Sequence, residues 1–253
     1  MKKVILAVVA ALCVIALVVG LVLGLRCRQI TLDMSKDSVD DQYISCYPKR
    51  LTELKNSGNI PLPKIYFSTW KTAKQHWDNL GQTAGSFDPI YGTAIVAYTV
   101  GDSLYRDFNT AVREAGKSEN SYKQYAFKDF HLLLTKALQA KRTSRCYEVF
   151  RGIKGICFNT SNMAKVRFGQ FASSSLDENV AKGFGEDTFF SIKTCYGVPI
   201  HDFSYYKEQK EVLIPPYEKF IVTNYTKTQK GIFIKLVSLE VFSRFNCEEL
   251  NDL

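Results

Sequence analysis

The sequence has only three histidines, His76, His131 and His201, and no Cys-x-x-Cys pair. So thin a scatter offers no zinc or other metal centre and points to structural histidines. Internal repeats and low-complexity tracts are absent too, which leaves an ordinary globular chain. The polar stretch Asn246–Leu253 lacks the hydrophobic tail that a lipid-anchor signal requires. A strong charge bias is also missing. The formal charge is +8, but Lys2, Lys3, Arg26 and Arg28 flank an apolar N-terminal segment, and subtracting those four from 33 leaves 29 basic against 25 acidic residues. That remainder is spread along the chain without a nucleic-acid motif, so no nucleic-acid partner is expected.

What is present begins with Val4–Leu25, an uncharged apolar segment that as a helix would extend about 33 Å and cross a bilayer. One reading is a signal anchor, with the N-terminus cytosolic and the rest on the extracellular face of the plasma membrane. The other is a cleaved signal peptide, with Lys2 and Lys3 as its basic start and Val22-Leu23-Gly24 near its cleavage point, giving a secreted protein. Both export the remaining chain. The expected organisation is residues 1–28 as anchor or signal peptide, 29–45 as a linker, and 46–253 as one ectodomain. Export fits Cys46, Cys146, Cys157, Cys195 and Cys247, since an oxidising compartment favours disulfides. It also makes the sequons at Asn159 and Asn224 usable for glycosylation.

The first half of the ectodomain reads as helical. Lys64–Leu80 places Ile65, Trp70, Ala73 and Trp77 at helical spacing, and Leu104–Ala115 and Lys128–Ala140 are amphipathic in the same way. From Cys146 the pattern changes to short β-branched and aromatic runs: Tyr147–Phe150, Val166–Ala172, Thr188–Ile192, Val212–Ile214, Phe220–Tyr225 and Ile232–Phe242. Such strands predict a compact antiparallel sandwich or barrel, and the absence of a linker between the halves predicts one α+β domain. Three polar positions emerge from the strand-rich half: Arg151, Ser173 and Glu211. The planar fork of an arginine suits phosphate oxygens, and a carboxylate stabilises positive charge developing on a sugar ring. On residue type alone, the same three would also serve as a surface ion pair and a strand-end hydroxyl.

Several ordered motifs sharpen that reading: Cys146-Tyr-Glu-Val-Phe-Arg151-Gly152, Val166-Arg-Phe-Gly-Gln-Phe-Ala-Ser173-Ser-Ser175-Leu176, Phe189-Phe-Ser-Ile-Lys-Thr-Cys195 and Glu211-Val-Leu-Ile-Pro-Pro216. With Ala97-Tyr98-Thr99, Phe108-Asn109 and His131–Leu138, they resemble the vertebrate ecto-ADP-ribosyltransferases, the arginine-specific mono-ADP-ribosyltransferase family, over roughly residues 45–247. The resemblance implies a helical N-terminal half packed on a strand-rich, two-sheet core. It also implies an enzyme that cleaves NAD, with NADP as an alternative dinucleotide, and transfers ADP-ribose to a protein arginine without a metal. The family's Arg–Ser–Glu signature falls on Arg151, Ser173 and Glu211. Arg151 would hold NAD phosphate or ribose oxygens, Ser173 would orient the site, and Glu211 would grip the nicotinamide ribose. Phe184 would stack on nicotinamide, or else lie buried under its loop. The same resemblance pairs Cys46 with Cys247 and Cys146 with Cys195, each closure worth roughly 3–5 kcal/mol in the chain-entropy model, and leaves Cys157 unpaired, with Cys27 as an alternative partner.

One position departs from the family pattern. Arginine-specific members carry a second glutamate two residues before the catalytic one, whereas this chain reads Glu208-Gln209-Lys210-Glu211. In an extended segment Gln209, not Glu208, shares a face with Glu211. A neutral amide neither pairs with a guanidinium nor accepts its proton. Gln209 is therefore expected to select the acceptor and to favour water, giving NAD glycohydrolase activity. The rival class is a catalytically silent surface protein that keeps the fold for binding.

Overall fold

The structure, a computed structural model, describes residues 27–101, 103–247 and 249–250. Val4–Leu25 lies outside the described residues, so the anchor and signal-peptide readings are not addressed by it. Among the described residues no helix is long and apolar enough to cross a membrane.

The N-terminal half is helical, as the periodicity predicts: α1 (Tyr47–Ser57), α2 (Phe67–Asn79), α3 (Pro89–Thr99), α4 (Ser103–Ala115), α5 (Glu119–Lys123) and α6 (Lys128–Lys141). Trp70, Ala73 and Trp77 are buried on α2, but Ile65 belongs to a preceding 3-10 turn and stands 77% exposed. Helix α3 starts where the Asp88 carboxylate accepts the Ile90 amide at 3.1 Å and Pro89 supplies a fixed φ at the first turn. Every residue from Tyr91 to Thr99 is buried. A helix enclosed on all sides has no polar face, which removes the periodicity by which helices are recognised in sequence.

The second half holds the strands β2 (Tyr147–Ile153), β3 (Ile156–Asn159), β4 (Lys165–Val166), β5 (Ala172–Ser175), β6 (Thr188–Thr194), β7 (Val198–Pro199), β8 (Glu211–Ile214), β9 (Glu218–Lys227) and β10 (Ile232–Val241), with β1 (Arg28–Thr31) ahead of the helices. The short helix α7 (Glu178–Gly183) lies between β5 and β6. The main sheet runs β4-β9-β10-β6-β2-β5-β8-β7, and β2 meets β5 through the single pair Phe150–Ser175. The two expected sheets are thus two leaves of one ladder. They are not wholly antiparallel, because β10 runs parallel to β6, and β1 and β3 form a separate parallel pair. The expected strand Val166–Ala172 breaks after Val166. The Arg167 amide donates to Asp33 O at 2.8 Å and its carbonyl accepts the Ser35 hydroxyl at 3.1 Å, so its backbone is committed away from the sheet. One apolar cluster fills the helical half and extends under Phe171 and Leu213, and a second fills the sheet around Phe190, Ile192 and Leu236.

Residues 29–45, expected as a linker, are built into this domain. Their start is strand β1, and Val39, Asp40 and Asp41 are fully buried. The Val39 amide donates to Val112 O and the Gly116 amide to Asp37 O, each at 2.8 Å, which fixes the segment to the end of α4. Disulfides join Cys46 to Cys247 and Cys146 to Cys195. A third joins Cys157 to Cys27, correcting the expectation of an unpaired Cys157: the parallel pairing of β1 with β3 brings the two Cα atoms to 5.5 Å.

Arg167 and Asp40 form a fully buried ion pair. The guanidinium also donates to the carbonyls of Met34, Ser35 and Phe242, and the carboxylate accepts the amides of Arg244 and Phe245. Removing one member strands the other charge in a dry interior. Arg167→Ala is expected to lower the unfolding free energy by about 3–5 kcal/mol in urea melts with the disulfides intact; a loss below about 1 kcal/mol would assign the pair no structural weight.

Candidate active site

Strands β2, β5 and β8 are consecutive in the sheet, and Arg151, Ser173 and Glu211, one from each, line a common cleft. The cleft has a volume of about 460 Å³ and opens on one side to solvent. Its walls bring together all five residues singled out in the sequence, since Phe184 and Gln209 line it as well. Among the described residues no group of three or more His, Cys, Asp or Glu side chains is placed to hold a metal ion.

Glu211 opens β8 and is 6% exposed. Burial raises its carboxyl to about 7, against the opposing influence of a hydrogen bond from Ser173 and the positive charge of Arg151. Near neutral pH the group stands between its acid and its base. Arg151 donates through one Nη to the carbonyl of Ser173, which sets the guanidinium beside β5, while its buried Nε has no partner. A charged donor left over in a cleft wall is suited to a ligand oxygen. Arg106 and Lys154 add two further cationic side chains to the lining, against the single carboxylate of Glu211. This balance suits a dinucleotide pyrophosphate.

Phe184 is not buried under a loop. It stands 55% exposed at the end of α7, facing the cleft. Two glycines bring it there. A Cβ on Gly152 would lie 2.2 Å from Ala181 O, and one on Gly185, whose φ is +127°, would lie 2.5 Å from the Lys154 amide nitrogen. Without side chains at both positions, α7 and its following turn settle directly onto β2.

Gln209 reaches the cleft by a route the sequence reading did not anticipate. Residues 207–209 form a 3-10 turn and Lys210 is left-handed at φ 47°, so Gln209 and Glu211 are not alternate residues of one extended strand. A lysine in this conformation is strained. The turn is tied down by the Ser175 hydroxyl to Gln209 O at 2.7 Å, by the Leu176 amide to Lys210 O at 3.1 Å, and by the Lys210 ammonium to Asp177 at 2.9 Å. Glu208 is exposed and does not line the cleft.

Tyr98 was not singled out as a site residue, yet it forms part of the cleft wall from α3. Its hydroxyl accepts the Asn109 amide and donates to Phe171 O, both at 2.9 Å. The available sequence signal was a tyrosine at the end of a fully apolar stretch, Ala94–Ala97, where a buried phenol needs polar partners.

Comparison with known proteins places these features in context. The sequence profile described as NAD:arginine ADP-ribosyltransferase matches residues 32–243. NAD(P)(+)--arginine ADP-ribosyltransferase 2 of Gallus gallus is 43% identical over 229 residues, spanning 87% of this chain and 73% of its own. GPI-linked NAD(P)(+)--arginine ADP-ribosyltransferase 1 of Homo sapiens is 39% identical, spanning 89% and 76%. Among solved structures, a mutant of the mono-ADP-ribosyltransferase ART2.2 in complex with NADH superposes with a TM-score of 0.74 at 34% identity, covering 86% of this chain and 98% of that one. A second ART2.2 mutant, in complex with NAD, gives 0.73 at 35% identity.

A buried acid raised to about 7 has a definite effect on stability. The folded state prefers the protonated form, so the contribution is fully present below the ordinary carboxyl range and is lost as pH rises through about 7. Glu211→Gln removes that loss. The variant is expected to gain on the order of 3 kcal/mol relative to wild type between pH 4 and pH 8.5, read as a melting-temperature difference that widens with pH; a difference independent of pH would show that Glu211 ionises normally.

Proposed function

The chain belongs to the NAD:arginine ADP-ribosyltransferase family, and on that basis we propose that it cleaves NAD at the nicotinamide–ribose bond through Glu211 and passes ADP-ribose to an acceptor. The observation that carries this reading is the meeting of Arg151, Ser173 and Glu211 from three consecutive strands on one cationic cleft. Nicotinamide departs neutral and leaves positive charge on the ribose carbon. An ionised carboxylate held in a poorly solvated wall stabilises that charge more in the transition state than in the ground state. Arg151, with Arg106 and Lys154, supplies the attraction for the pyrophosphate, and the exposed ring of Phe184 offers nicotinamide a stacking surface.

NAD and NADP are both named for the relatives, and both suit this cationic lining. The relatives' names specify arginine, which makes an exposed arginine on a protein one acceptor. Gln209 faces the cleft where a second carboxylate would assist a guanidinium, and Glu208 lies outside the lining, which favours water. Three disulfides fit an oxidising compartment, and exposed Asn159 and Asn224 fit glycosylation there. Together with the GPI-linked relatives, they support a location on the extracellular face of the membrane.

Purified protein is expected to release nicotinamide from NAD, and Glu211→Ala to abolish that release. A folded, disulfide-intact wild type that releases none would overturn the enzymatic reading in favour of a silent binding protein. Gln209→Glu is expected to raise ADP-ribosylation of agmatine relative to NAD hydrolysis by about tenfold or more, within the usual reach of one acid–base group. An unchanged ratio would remove Gln209 from acceptor choice.

A further inference from the structure

Away from the cleft, the bend between α6 and β2 concentrates positive charge. No acidic residue occurs between Asp129 and Glu148, and the last three cations of that stretch, Lys141, Arg142 and Arg145, each sit on an aromatic ring. Lys141 Nζ lies 4.2 Å from the ring centre of Phe203, and the guanidinium carbons of Arg142 and Arg145 lie 3.9 Å from that of Tyr196 and 5.6 Å from that of Tyr147. Tyr147 follows Cys146 and Tyr196 follows Cys195 in sequence. The Cys146–Cys195 disulfide therefore holds the two arginine–tyrosine stacks together at one end of the β2–β6 pair.

Among the described residues no carboxylate pairs with these three cations. Glu148 lies opposite Lys193 in the β2–β6 ladder and points to the other face from Tyr147. Asp202, next to Phe203 in sequence, stands 3.6 Å from His201. Glu218 is fully buried and accepts the amides of Cys195 at 2.8 Å and Tyr196 at 3.2 Å, so its charge is turned inward. The carbonyl end of α6 attracts a cation at Lys141, its last residue, but Arg145 lies four residues beyond. Arg142 uses only its Nε, donated to Cys195 O at 3.2 Å, and the Arg145 guanidinium donates to no protein group among the described residues. The rings hold two planar forks in place and leave their Nη groups to solvent.

We propose that Lys141, Arg142 and Arg145 form a docking surface for a sulfated polysaccharide, separate from the cleft. Sulfate oxygens match the guanidinium fork, and a polymer engages three cations at once where a single anion engages one. Two rival polyanions fit less well. Single-stranded nucleic acid gains by stacking its bases on open rings, whereas the rings here already carry cations. An anionic bilayer gains by taking in apolar side chains, and none of the large exposed apolar residues of the described surface falls within residues 137–147. The inference rests on the exported location proposed above, where such polymers are met, and not on catalysis. Tyr147 precedes Arg151 on β2 by four residues, about 13 Å, so docking at the bend leaves the cleft open.

Binding of the purified, disulfide-intact protein to a heparin oligosaccharide, measured by calorimetry at about 0.15 M salt, tests the proposal. Wild type is expected to bind, and a desulfated oligosaccharide of the same length is not. The triple variant Lys141→Gln, Arg142→Gln, Arg145→Gln is expected to bind about tenfold or more weakly, with melting temperature and nicotinamide release unchanged. The control Lys227→Gln, Lys230→Gln, Lys235→Gln removes the same charge from exposed positions on β9, β10 and their connection and is expected to stay within about twofold of wild type. Arg145→Gln alone, at an exposed side chain, is expected to weaken binding about threefold and replaces the triple variant if that one does not fold. Absence of binding by wild type overturns the proposal, as does an equal loss in the control. So does tighter binding to a single-stranded oligonucleotide or to phosphatidylserine vesicles than to heparin. A protein that binds heparin as expected but releases no nicotinamide would count against the proposed function alone.

Discussion

The buried pair of Arg167 and Asp40 is the interaction on which the assembly of the two halves depends. Asp40 belongs to a segment bound to the end of α4 through Val39 and Asp37, while Arg167 leads from β4 toward β5. The pair also gathers the carbonyl of Phe242 and the amides of Arg244 and Phe245, so the N-terminal and C-terminal approaches share one anchor. A buried ion pair is weak evidence of net stabilisation, since hydrophobic packing often does as well. What this one provides is register. It fixes how the helical layer sits on the sheet, and the cleft lies where those layers meet.

That placement explains the electrostatics of Glu211. A carboxylate on a sheet edge would be hydrated and ionised, but here Tyr98 from α3 and the aromatic wall of the cleft exclude much of the water. Arg151 is close enough to temper the resulting penalty without cancelling it. The same desolvation that costs stability at alkaline pH strengthens the interaction between the carboxylate and a developing cation. Stability and reactivity therefore draw on one physical term with opposite signs.

Much of this was legible in the sequence where a local rule governed it. Helices α2 and α4 announced themselves by one polar face, α6 by the spacing of Phe130, Leu133, Leu134, Ala137 and Leu138, and β6, β9 and β10 by β-branched and aromatic runs. Arg151, Ser173, Phe184, Gln209 and Glu211 were legible as a set only through the motifs around them, and they do share one cleft. What was hidden obeyed long-range constraints. Helix α3 had no polar face to read, and Tyr98 acquires a role only from its contacts with Asn109 and Phe171. The polar stretch 29–45 looked like a linker because its buried aspartates are satisfied by distant partners such as Arg167 and Tyr122. Cys27 met Cys157 for a similar reason, through a parallel strand pairing 130 residues apart in sequence.

The two leaves of the sheet share a single rung, Phe150 with Ser175, in the wall of the cleft. Elsewhere in a ladder, spacing is dictated by repeated backbone hydrogen bonds and resists adjustment. Here one side chain crosses the seam, Arg151 from β2 donating to the carbonyl of Ser173 in β5. A scaffold of this kind can alter the chemistry of its mouth through the turn that carries Gln209 while the strands bearing Arg151, Ser173 and Glu211 keep their places. The acceptor half of the reaction is thereby free to diverge without disturbing the half that opens the dinucleotide.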